Sequence, residues 1–204
     1  MTSIEINLDL IKYITLTAIN ILNVILPPLI YKYIKKKSKK TYKLESVYLV
    51  ICNFLLYELL GPYIPPTYLA LLTYGIVIAY GDYKKGVVLY QILIPLMLII
   101  TITGFMETGT FDLGILMLKF TLYTLPLYLL VYMGWLGGGD IKYFVIIGAV
   151  MYEWTLLALA ISCILIIVQS VIKKTKEVRA CPAITLAVFI TIIVQTVGLP
   201  NIIK

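Results

Sequence analysis

Long apolar runs separated by short, polar, mostly basic links set the pattern of this chain. A bilayer-spanning helix needs about 20 apolar residues, or fewer where interface residues cap its ends. On that measure the pattern predicts eight helices. The first runs from about Ile11 to Ile34 and is expected to break at Pro27-Pro28, since proline removes a donor and clashes with the turn before it. The second covers Leu44–Leu60 and stops at Gly61-Pro62-Tyr63-Ile64-Pro65-Pro66. The third, Thr67–Tyr80, closes at Gly81-Asp82-Tyr83-Lys84-Lys85-Gly86. The fourth, Val87–Gly104, contains Pro95, and the fifth, Leu113–Met133, contains Lys119 and Pro126. A glycine run, Gly137-Gly138-Gly139, precedes a short sixth segment, Ile141–Met151. The seventh is Trp154–Ile172 and the eighth Pro182–Val197.

Composition agrees with that pattern. Of 204 residues, 61% are hydrophobic and 13% charged, and the mean hydropathy is +1.00. The expected class is an all-α, polytopic membrane protein with about eight transmembrane helices, in contact with the lipid bilayer. Met1 to Asp9 carries Glu5 and Asp9 and no basic start, unlike a secretory signal. The net charge of +7 sits in short links between apolar runs, so nucleic acid is not an implied partner. Placing the Lys35–Lys40 link in the cytosol and alternating sides puts fourteen of the seventeen basic residues on the cytosolic face. Lys12 and Lys204 fall outside, and Lys119 snorkels from the fifth span toward Asp112. Such asymmetry predicts a multi-pass protein of the cell membrane with both termini on the outer face.

The chemistry available is narrow. There is no histidine, which excludes histidine-based acid–base catalysis and most zinc sites. Cys52, Cys163 and Cys181 lie in or beside apolar runs with no C-x-x-C pair, and read as small buried hydrophobes. What stands out is two aspartates. Asp82 ends the third span and Asp140 begins the sixth, so two full crossings return the chain to the same cytosolic boundary. Two carboxyls held a few ångströms apart cannot both ionise easily and share one proton. Such a pair can activate water and polarise a carbonyl without metal or cofactor, and none is expected here. A plainer reading stands beside it: Asp140 caps the sixth helix, and Asp82 is a loop charge next to Lys84 and Lys85. The glycine run suggests open backbone beside which a peptide could lie.

Gly137-Gly138-Gly139-Asp140 fits the G-x-G-D signature of the GxGD membrane aspartyl proteases. The run GGGDIKYFVIIGAV resembles the second active-site segment of the prepilin and preflagellin peptidases, including Lys142 and the Gly148-Ala149 pair. GDYKKGVVLYQIL resembles the first site, aligning Asp82 as the other acid, although the Ile-Pro-Asn frequent there is missing. Ala180-Cys181-Pro182-Ala183 also resembles a family feature before the last span. The likeness covers about Thr67 to Val197. It implies a domain of two N-terminal helices (1–66) followed by a six-helix peptidase core (67–204). Asp82 and Asp140 are then catalytic, with Gly137, Gly138, Gly139 and Lys142 beside the substrate. No paired C-x-x-C motifs of a methylating domain occur, so the layout looks closer to the archaeal peptidases. The implied partners are pilin-like or archaellin precursors with a short basic leader before an apolar helix. Two other classes fit the acids less well: an intramembrane protease of the presenilin or signal-peptide-peptidase type, and a small proton- or ion-coupled transporter.

Overall fold

Where water is excluded, backbone N–H and C=O groups pair within their own segment, so apolar runs become helices. The computed structural model describes residues 2–35, 42–85, 90–108, 132, 137–152, 154–174 and 179–198. Every regular element among them is helical. The helices are α1 (Thr2–Lys35), α2 (Tyr42–Leu60), α3 (Pro66–Lys85), α4 (Tyr90–Thr108), α5 (Gly138–Met151), α6 (Trp154–Lys173) and α7 (Ala180–Ile193). A single π-helical turn, Val194–Gly198, extends α7. The fifth predicted span (113–133), with Lys119 and Pro126, lies outside the described residues apart from Tyr132. So do Asp112, residues 36–40, Glu153 and Glu177.

The expected break at Pro27-Pro28 is absent, and α1 runs through both prolines, which are buried. Pro28 has no N–H to give the carbonyl of Val24, four residues back. The buried side chain of Asn53 on α2 supplies the substitute, donating from Nδ2 to Val24 O at 3.3 Å.

α3 is the central helix and touches α1, α2, α4, α5 and α7. Leu69, Leu71, Leu72, Tyr74 and Val77 are all buried, on every side of it. α5 is likewise buried along most of its length, which accounts for a helix only about 21 Å long, short of the hydrocarbon thickness. Leu55 and Leu59 on α2, Ile94 and Leu98 on α4, and Ile164, Ile167 and Val171 on α6 are exposed instead. The molecule is thus apolar outside as well as inside. Within α6, Trp154–Ile172 is long and apolar enough to cross a membrane, and among the described residues one helix passes that joint test. Gln91–Phe105 and Ala180–Thr196 are apolar but shorter.

α3, α5 and α7 are pinned to each other at one buried crossing. Thr185 Oγ1 on α7 lies 3.2 Å from the carbonyl of Gly75 on α3 and 3.4 Å from Tyr143 Oη on α5. A Cβ on Gly75 would stand 2.3 Å from that Tyr143 oxygen, so only glycine admits this approach. The crossing fixes the register of the three helices that carry the site.

Candidate active site

One helical turn along α5 from Tyr143 is Asp140, and one turn along α7 from Thr185 is Cys181. Two turns along α3 from Gly75 is Asp82. All three converge. Taking one ligand atom from each, Asp82, Asp140 and Cys181 lie within 4.8 Å of one another.

α3 continues five residues past the predicted Tyr80 end, to Lys85, so Asp82 sits in its last helical turn rather than in a loop. It faces inward and is 6% exposed. Its neighbour Lys84 is turned elsewhere, its ammonium 5.9 Å from the centroid of the Tyr80 ring. Asp82 Oδ2 accepts the backbone N–H of Cys181 at 3.2 Å. Arg179, the N-cap residue of α7, donates from Nη1 to the carbonyls of Asp82 (2.6 Å) and Tyr83. Those are orphan acceptors at the end of α3, so the guanidinium binds the start of α7 to the end of α3. Burial raises the Asp82 carboxyl above the usual range, and the charge of Asp140 raises it further. The Cys181 N–H and Arg179 act in the opposite sense.

Gly138 and Gly139 are not extended open backbone, as the sequence suggested. They form the first turn of α5, with Gly137 as its extended N-cap (φ −76°, ψ 150°). The reason is the acid that follows them. Asp140 is the third residue of the helix and accepts the N–H of Gly137 at Oδ2, 3.1 Å away. It therefore caps its own helix from the third helical position, not as the N-cap residue that the plainer reading expected, a place Gly137 takes. That bond occupies one oxygen only. Oδ1 accepts the thiol of Cys181 at 3.0 Å. The space beside Gly138 is open, since a Cβ there would meet nothing within 4 Å. Lys142, two residues on, is exposed.

The cysteine expectation divides. Cys52 and Cys163 are exposed rather than buried, on outward faces of apolar helices. Cys181 is fully buried but does more than fill space, since its N–H and S–H each reach one acid. Burial pushes its thiol up, and the charge and hydrogen bond of Asp140 push it further. It is thus held protonated, as a donor. Two carboxylates and a thiol at this spacing could also take up a divalent cation, with Asp82 and Asp140 as oxygen ligands. The thiol would first have to give up the proton it shares with Asp140.

A helical protein with two carboxyls meeting inside an apolar shell is a candidate acid–base hydrolase. The type IV leader peptidase family matches residues 69–171, half of the chain, a stretch that contains both aspartates. No curated protein and no solved structure matches the chain. The chain belongs to the type IV leader peptidase family. It is therefore a protease of a family of membrane proteins that process pilin-like precursors. α1, α2 and α7, with Arg179 and Cys181, fall outside the matched stretch.

Proposed function

We propose that this chain is a multi-pass membrane aspartyl endopeptidase. It removes the short basic leader of a prepilin or preflagellin precursor at the cytosolic boundary of the cell membrane. The observation that carries the reading is the approach of Asp82 and Asp140 to within 4.8 Å across two helices joined through 58 residues of chain. The one-sided lysine distribution supports the cytosolic orientation. The exposed apolar faces of α2, α4 and α6 support several crossings.

The environments of the two acids differ as their roles require. Asp82 is buried and raised, and holds the shared proton. Asp140 accepts two donors and serves as the ionised partner. Asp140 takes a proton from a water lodged between them, and that oxygen attacks the scissile carbonyl. Asp82 donates to the carbonyl oxygen as it becomes tetrahedral. The proton on Asp140 then passes to the leaving amine as the C–N bond breaks, and a hydroxyl of the collapsing intermediate returns its proton to Asp82.

The test is cleavage of a purified precursor in detergent. Asp82→Asn and Asp140→Asn should each lower kcat by about 10²–10⁴-fold in protein that still inserts and folds. Substantial cleavage by either variant would sink the dyad.

A further inference from the structure

A groove of about 680 Å³ opens between α2, α3 and α7. Cys52 and Leu56 on α2, Ile76 on α3 and Phe189 on α7 line its length, and its walls are almost wholly apolar. Glu45, at the start of α2, and Tyr83 and Pro182 line its cytosolic end. Tyr83 and Pro182 are the chain neighbours of Asp82 and Cys181, so this end of the groove lies beside the acid cluster, although the acids and Cys181 do not themselves line it. From Glu45 to Leu56 it extends about 16 Å along α2, some three helical turns.

We infer that this groove seats the apolar helix of the precursor, and that α2 is the wall that selects among precursors. The inference rests on the leader-peptidase reading, which supplies a substrate with a cationic leader before an apolar helix. Three features fit that occupant. The groove is apolar over a depth that half of a spanning helix would fill. The end lined by Tyr83 and Pro182 is one residue along the chain from Asp82 and from Cys181, which puts the junction of leader and helix beside the dyad. Its mouth carries an anion, Glu45, held by a hydrogen bond from Tyr80, which faces the cationic leader as it leaves the bilayer. α2 lies outside the stretch matched to the family, so this wall is a part of the chain that the family likeness does not prescribe.

The native cysteines provide the test. Cys52 lines the groove, whereas Cys163 is exposed on α6 and does not. Cys52 lies two turns beyond Glu45, about 10 Å deep. A precursor carrying one cysteine is mixed with the Asp140→Asn protein in membranes and oxidised with copper phenanthroline. A disulfide to Cys52 is expected, strongest when the precursor cysteine is about seven residues into the apolar segment. No disulfide to Cys163 is expected. In the active protein, Cys52→Trp should raise KM about tenfold with kcat unchanged, and Glu45→Gln should raise it about two- to fivefold. Cross-links at Cys163 or at neither cysteine would overturn the groove assignment, as would wild-type KM in Cys52→Trp. If the unaltered protein cuts no precursor, the leader-peptidase reading fails, while the cross-link, which needs no turnover, still reads docking.

Discussion

The thiol of Cys181 lies 3.0 Å from Asp140 Oδ1, and the N–H of the same residue lies 3.2 Å from Asp82 Oδ2. One residue on α7 thus holds an oxygen of each acid. That shared anchor ties the two carboxyls to one point of α7.

Cys181→Ala should therefore reduce kcat more than it changes KM, by about tenfold, the worth of a hydrogen bond to a charged group. Losing a donor to the ionised partner also moves the acid limb of the pair's pH–rate profile to higher pH. Cys181→Ser keeps a donor and should restore most of the rate and the position of that limb. A purely packing role would leave the limb in place in both variants. The check is the pH dependence of kcat/KM in the three proteins.

The raised Asp82 carboxyl predicts a stability cost that grows with pH. In the unfolded chain this group ionises near its ordinary value, while in the fold it keeps its proton to higher pH. Between those two values the native state binds more protons, so stability falls as pH rises. Asp82→Asn removes the titration. It should melt higher than the native protein at neutral pH, by about 2–4 °C for each kcal/mol recovered, with the advantage fading toward pH 4. Thermal melts in detergent across that range would show it, and a variant less stable at every pH would count against it.

Neighbouring glycines should fail in different ways. A Cβ at Gly137 would sit 3.1 Å from Asp140 Oδ2, so Gly137→Ala displaces the carboxylate and lowers kcat on any precursor. A Cβ at Gly138 meets only open space. Gly138→Ala should stabilise α5 by about 0.5–1 kcal/mol yet raise KM, because the methyl projects where the substrate backbone approaches. Melting temperatures with separate kcat and KM values distinguish the two.

Gly75→Ala should be the most damaging of the glycine changes to the fold. Its methyl would fall 2.3 Å from Tyr143 Oη and 3.1 Å from Thr185 Cγ2, forcing α3, α5 and α7 apart. Overpacking of this kind costs about 1–3 kcal/mol, and here it also spreads the acids. Loss of melting temperature and of kcat together is the expected pattern. Tyr143→Phe in the same background, which removes the colliding oxygen, should recover part of both.

The position of the cut is what would separate this protein from intramembrane proteases. The scissile bond is expected at the junction of leader and apolar helix, once per precursor. Mass spectrometry of the processed product checks this, and several cuts inside the apolar segment would contradict it.

Much of this arrangement was legible in the chain. The two aspartates were found because crossing parity returns both to one face, and parity needs only a count of spans. Cys181 was passed over because a thiol in an apolar run has no periodic signature. Its partners come from α3 and α5, so only tertiary packing shows them. The sequence around it, Ala180-Cys181-Pro182-Ala183, was the one available signal. The glycine run was misread because glycine suggests open backbone, while Asp140, three residues beyond Gly137, supplies the cap that starts a helix there. Pro27-Pro28 misled for a like reason. The donor that rescues Val24, Asn53, lies 29 residues away and leaves no mark near the prolines.

The donors that complete Asp82 come 97 and 99 residues later in the chain, from Arg179 and Cys181. At about 5–20 residues per second, a ribosome needs roughly 5–20 s to add that stretch. Over the last 41 residues of that interval, roughly 2–8 s at the same rate, both aspartates are made but the residue that holds them in place is not. If the two acids act as proposed, a nascent chain carries them unarmed, and cleavage begins only once α7 docks.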